Sequence, residues 1–150
     1  MRVFEIVPHL YQSRTPTGPG DVHFRDQDGR SVRITAVVDL EGTIDPNVPQ
    51  KRIGDVYLYW PLLDEEDRLP DETSLRGVAQ YLSALMDAGH NVLVHCHSGM
   101  NRASLVSGRT LIARGLSPEE AIGTLERGRD PNVLSNRTFR EWLLKEEAGS

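Results

Sequence analysis

The sequence predicts a single α/β domain, residues 1–150, whose central sheet of about four to five mostly parallel strands is flanked by helices. Three observations predict it. Short β-branched and apolar runs fill the first part of the chain, stretches of helical periodicity fill the rest, and one late apolar run sits between two of those helical stretches. With 150 residues the chain is long enough to bury roughly 70% of the surface it exposes when unfolded.

The elements follow in order. Val3 to Val7 and a short piece from Leu10 to Gln12 read as strands, and Pro16, Gly18, Pro19 and Gly20 mark a loop after them. Asp28-Gly29, between Val22, Phe24 and Val32, Ile34, is a hairpin signal. Arg33 to Leu40, with Ile34, Ala36, Val37 and Val38, reads as a buried strand, and Val56 to Trp60 as another that Pro61 ends. Leu62 to Pro70 is acidic and turn-like. From Asp71 the period becomes helical, through Leu75, Val78, Ala79, Leu82, Leu85 and Met86, with Gly89 as the stop. Asn91 to His95 is too short and too β-branched for a helix. A polar turn, His97 to Asn101, leads into a helix from about Arg102 to Arg114. Ser117-Pro118-Glu119-Glu120 combines an N-cap serine, a first-turn proline and a capping-box glutamate, and a last helix begins near Asn136 with Phe139, Trp142 and Leu143 on one face.

Composition excludes several function classes. A formal net charge of −5 argues against a protein that works by neutralising a nucleic-acid backbone. The single cysteine excludes an intramolecular disulfide framework and a four-cysteine zinc site. Arg2 and Glu5 interrupt any signal-peptide core, and no stretch approaches the ~18 apolar residues of a membrane span. These features lead us to expect a cytoplasmic, monomeric protein that binds neither nucleic acid nor membrane.

The one cysteine ends the late strand, in His95-Cys96-His97-Ser98-Gly99-Met100-Asn101-Arg102. A loop wrapped over a helix N-terminus aims backbone N–H groups at one point, where the helix dipole adds positive potential, so it forms a nest for an oxyanion. Arg102 can turn its fork to the same point and take two anion oxygens. A free thiol has a pKa of ~8.5, and a helix N-terminus with cations lowers such groups to ~3.5–7.5, which makes a thiolate nucleophile. His95-Cys96-His97 could also be read as a metal cluster, but adjacent strand residues point to opposite faces and no companion ligands appear, so no metal and no cofactor are expected.

His-Cys-x5-Arg, here His95, Cys96 and Arg102, resembles the signature of cysteine-dependent phosphatases, and most of the chain is similar to their compact dual-specificity branch. The resemblance implies that Cys96 attacks phosphorus to form a phosphocysteine while residues 97–102 (His97, Ser98, Gly99, Met100, Asn101 and Arg102) hold the phosphate. It also implies an aspartic acid about thirty residues upstream that protonates the leaving oxygen. Asp64 stands there, with Asp67 as its competitor, while Asp71 reads as a helix cap. His95 is expected to support the loop from beneath. The implied partner is a phosphorylated protein, carrying phosphotyrosine and also phosphoserine or phosphothreonine, and the scheme needs no metal. Two rivals stand beside it: a non-protein phosphatase, since Gly99 to Arg102 faintly resembles RNA 5′-triphosphatase relatives, and a pseudophosphatase that binds phosphoproteins without turnover. Low-molecular-weight tyrosine phosphatases take an acid from an Asp-Pro, but Asp130-Pro131 follows a helix and reads as a turn. One departure is Ala103, where the family usually has serine or threonine to support departure of the thiolate. Ser104 lies about 100° further round the helix, so slow hydrolysis of the phosphoenzyme is expected.

Overall fold

The computed structural model describes residues 1–16, 23–42 and 53–150. Five strands form one sheet in the order β1-β2-β7-β5-β6: β1 (Phe4–Val7), β2 (Leu10–Arg14), β7 (Val92–Cys96), β5 (Ala36–Asp39) and β6 (Val56–Tyr59). Only the β1–β2 pair is antiparallel, so the sheet is mostly parallel as its apolar strands predict. The Asp28-Gly29 signal is a real hairpin, β3 (Phe24–Arg25) and β4 (Ser31–Val32), forming a separate two-stranded sheet. Asp26 accepts from the N–H groups of Asp28 and Arg30 inside that turn. Val22 and the expected Gly/Pro loop at 18–20 lie outside the described residues.

Four helices follow: α1 (Glu72–Asp87), α2 (Arg102–Ala113), α3 (Pro118–Gly128) and α4 (Arg137–Leu144). Three begin on capping side chains, two of which, Asp71 and Ser117, the sequence marks as caps. Asp71 accepts from Ser74 N–H, Ser117 from Glu120 N–H and Asn136 from Phe139 N–H. The helix α2 begins on Asn101 with no side-chain cap, and the unpaired N–H groups of its first turn therefore face the loop that precedes it. Among the described residues no helix is long and apolar enough to cross a membrane.

Alternation along β7 divides the molecule. Val92, Val94 and Cys96 join the larger core with residues of all four helices, whereas Leu93 joins Val3, Tyr11, Phe24, Ile34 and Val37 under the hairpin side. Helix α2 is buried from Ala103 to Ile112. A Cβ at Gly108 would lie 3.1 Å from a Leu143 methyl and 3.3 Å from one of Leu125, so glycine there lets α3 and α4 close on α2.

The price of burying α2 is the guanidinium of Arg109, 1% exposed, which donates to Glu146 Oε1 at 2.9 Å. Arg76 of α1 donates to both oxygens of the same carboxylate, at 2.8 and 3.1 Å. The Arg76 hydrogen bond above all, with Arg109 behind it, holds the Glu146 carboxyl below the usual carboxylate range. Its stabilisation is complete above the ordinary value of 4.5 and fades as pH falls through the lower folded value. Glu146→Gln should therefore cost about 2–4 kcal/mol at pH 7, because it leaves buried Arg109 without its carboxylate. In denaturant melts the gap from wild type should narrow below pH 4.5.

Candidate active site

Cys96 ends β7 in the centre of the sheet, with β2 on one side and β5 on the other, and is 2% exposed. Beyond it, each backbone carbonyl up to α2 is turned outward onto a donor. Cys96 O accepts from the Thr15 hydroxyl at 3.0 Å, His97 O from Thr15 N–H at 3.3 Å, and Ser98 O from Arg129 Nη2 at 2.9 Å. Gly99 O accepts from Gln12 Nε2 at 3.2 Å, Met100 O from Leu134 N–H at 3.2 Å, and Asn101 O from Leu105 N–H at 2.9 Å. Among the described residues no acceptor takes the N–H groups of His97 to Asn101. With its carbonyls pulled out and its amides unspent, the loop is an oxyanion nest over the start of α2.

Gly99 makes that wrap possible. Its φ is +72°, and a Cβ would sit 2.5 Å from Ser13 O, inside contact distance of β2. The Ser13–Arg14 end of β2 is thus the floor against which the loop folds.

Arg102 opens α2, and its Nη1 donates to Leu62 O at 3.0 Å and Leu40 O at 3.4 Å, joining the loop to the end of β5 and to the acidic loop. Its Nη2 lies 3.8 Å from Glu41 Oε2, the same oxygen that stands 3.5 Å from His97 Nδ1. Asp64 is drawn to this site by two amides: Asn101 Nδ2 donates to Oδ2 at 3.0 Å and Asn136 Nδ2 to Oδ1 at 2.8 Å. Asn136 also donates to Glu65 O at 3.0 Å, so the cap of α4 holds the acidic loop against the nest. Among the described residues no hydrogen bond or ion pair ties Asp67 to the site, and Asp71 caps α1 as its spacing predicts. Asp130 accepts from Asn132 N–H at 2.8 Å in a turn, the role expected of it.

The histidines fall on different sides. His97 is exposed beside the nest, whereas His95, adjacent to Cys96 in the chain, lies on the opposite face with Nε2 3.9 Å from Asp39 Oδ1. Tyr57 donates to the other Asp39 oxygen, and Glu41 N–H to Oδ1 at 2.9 Å, so this buried polar layer braces the ends of β5 and β6 beneath the site. Met100 packs partly buried against the larger core. Ala103 is wholly buried, and Ser104 Oγ accepts from Gln12 Nε2 at 3.1 Å. The hydroxyl one place along from Ala103 is thus engaged toward β2.

Sequence reasoning missed Gln12, Thr15, Glu41, Arg129 and Asn136 as parts of this site. Each comes from an element distant in the chain, and none carries a local spacing signal.

A cysteine at a strand end, an amide nest over a helix start and an arginine at its rim together define the class of cysteine-dependent phosphatases. The family model of the dual specificity phosphatase catalytic domain matches residues 23–148, and the chain belongs to that family. None of the curated proteins matches it. Among solved structures it is similar to human DUSP28, with 21% identity, a TM-score of 0.70, and 95% of this chain and 90% of that one covered. It is similar also to a mouse protein described as a dual specificity phosphatase complexed with zinc tungstate (21%, TM-score 0.73, 95% and 84% covered). A third is OH1 of the Orf virus, a tyrosine phosphatase with triple substrate specificity (15%, TM-score 0.69, 100% and 88% covered). These structural likenesses bear on the fold.

Gly99→Ala should cost at least about 2 kcal/mol, combining left-handed strain with the clash at Ser13, and should weaken binding of inorganic phosphate. A thermal melt with and without phosphate checks both: wild type is stabilised by the anion and the variant is not.

Proposed function

We propose that the protein hydrolyses phosphomonoesters through a phosphocysteine on Cys96, and that its substrates are phosphorylated proteins, phosphotyrosine foremost and also phosphoserine or phosphothreonine. The observation that carries this reading is the outward hydrogen bonding of every carbonyl from Cys96 to Asn101 around the only thiol in the chain. The Cys96 thiolate attacks phosphorus in line, the S–P bond forms and the P–O bond to the leaving group breaks. Charge on the equatorial oxygens falls to the amides of residues 97–102 and the Arg102 fork. Asp64 donates its proton to the departing oxygen. Each of its carboxyl oxygens accepts one amide N–H and keeps a further lone pair, so the clamp by Asn101 and Asn136 leaves a place for that proton. In the second step water attacks phosphorus, the S–P bond breaks with its electrons returning to sulfur, and Asp64 takes a proton from the water.

Ala103 supports a second reading, a phosphoprotein-binding protein with slow turnover. No hydroxyl stands at that position to ease departure of the thiolate, and Ser104 is engaged by Gln12.

Cys96→Ser should abolish hydrolysis of p-nitrophenyl phosphate. Asp64→Asn should lower kcat by about 10²–10⁴ while sparing phosphate binding, and Asp67→Asn should stay within about twofold of wild type. Wild type without vanadate-sensitive hydrolysis of this aryl phosphate would sink the enzyme reading. Rapid-quench kinetics should show a burst with a slow second phase that Ala103→Ser accelerates; a second phase as fast as the first removes the role given to Ala103. Comparing a phosphotyrosine peptide with triphosphate-ended RNA decides between protein and non-protein substrates.

A further inference from the structure

The mechanism leaves a second arginine unused. Arg129 follows α3 as its C-cap, thirty-odd residues beyond the nest, and donates from Nη2 to Ser98 O at 2.9 Å. Its guanidinium lies over the Phe4 ring of β1, 4.3 Å from the centroid, and its buried Nε has no acceptor among the described residues. The fork is therefore stacked on one side and latched on the other, with little freedom to turn to solvent.

We propose that Arg129 is a positioning residue of the nest: by pulling the Ser98 carbonyl outward it holds the neighbouring amides toward the anion, and its charge favours the thiolate form of Cys96. Both halves follow from one geometry. A carbonyl released from its latch could rotate into the nest and present negative charge to the phosphate, and loss of the guanidinium removes a cation from the thiolate's surroundings. Ser98 lies two residues beyond Cys96, so the guanidinium latched to its carbonyl stands beside the loop that the thiol begins; burial pulls the Arg129 pKa below its ordinary value, and the negative charges of Asp130 and Cys96 oppose that. The other titratable groups around this end of the sheet are His95 and His97 beside the cysteine, Arg14 opposite it on β2, Asp39 at the end of β5 and Glu41 just after it, Asp64 from the acidic loop, and Arg102. Removing Arg129 leaves all of these in place.

The inference rests on the phosphatase reading for its purpose but not for its test, because Cys96 is the only cysteine in the chain and its alkylation reports the thiolate directly. The experiment follows the rate of iodoacetamide modification against pH for wild type, Arg129→Ala, Arg129→Gln and Arg129→Lys, with and without orthovanadate, each variant first shown folded by circular dichroism. Arg129→Ala should react roughly three- to tenfold more slowly than wild type at pH 6, should match it at pH 9.5, and should need several-fold more vanadate for protection. Arg129→Gln keeps a donor but no charge, so its pH profile should shift like that of the alanine variant while vanadate protection stays nearer wild type. Arg129→Lys should restore the wild-type profile. If the alanine variant does not fold, the glutamine and lysine variants carry the test. Folded variants whose alkylation profiles and vanadate protection all superimpose on wild type overturn the proposal. Absence of turnover with these shifts intact would count against the phosphatase reading alone.

Discussion

A peptide loop that gathers an anion must first dispose of its own carbonyls, and the rest of this molecule is arranged around that requirement. Every amide pointed inward leaves a carbonyl pointed outward, and an outward carbonyl near a buried thiol needs a donor. Here those donors come from β2 (Gln12), the residue just after it (Thr15), the end of α3 (Arg129), the turn before α4 (Leu134) and α2 itself (Leu105). The loop is short, yet its conformation depends on several elements of the fold being in place. This explains why β2 approaches so closely that only glycine fits at position 99, and why α2 runs through the middle of the helical layer, where its first turn cannot shift without disturbing three neighbouring helices.

The pleat of β7 adds a separation of chemistries. Residues one apart in a strand look to opposite faces, so Cys96 belongs to the helical core and His95 to a polar layer with Asp39 and Tyr57 under the sheet. The histidine next to Cys96 in sequence is a brace, while the groups beside the nest in space, Arg102, Glu41 and Asp64, come from chain segments tens of residues apart. The same network couples the site to the scaffold: Asn136 caps α4 and, with its amide, fixes Asp64 and Glu65, so one side chain sets both a helix start and the position of Asp64.

Much of this was legible from residue order. Hydrophobic period separates strands from helices, and Asp71 and Ser117 announce their helices because a capping side chain acts on N–H groups two or three residues away. The Asp28-Gly29 turn is equally local. The offset of Arg102 from Cys96, and of both from a helix start, is likewise a short-range fact. The structure lengthened β2 to Arg14 and cut the strand expected from Arg33 down to Ala36–Asp39. Strand length is set by what the neighbours can pair with, and that lies outside the strand's own sequence.

By itself, then, the sequence determined an α/β domain, a lone thiol at a strand end, a glycine-containing loop and an arginine at the head of a helix. Those features depend on interactions spanning a few residues, and such interactions leave a pattern in the chain. Only the tertiary structure decided that Asp64 and not Asp67 meets the loop, that Ser104 is engaged by Gln12, and that Arg129 latches Ser98. Those pairs are 37, 92 and 31 residues apart. Contacts over such separations arise from how sheet and helices pack together, and no local spacing encodes them.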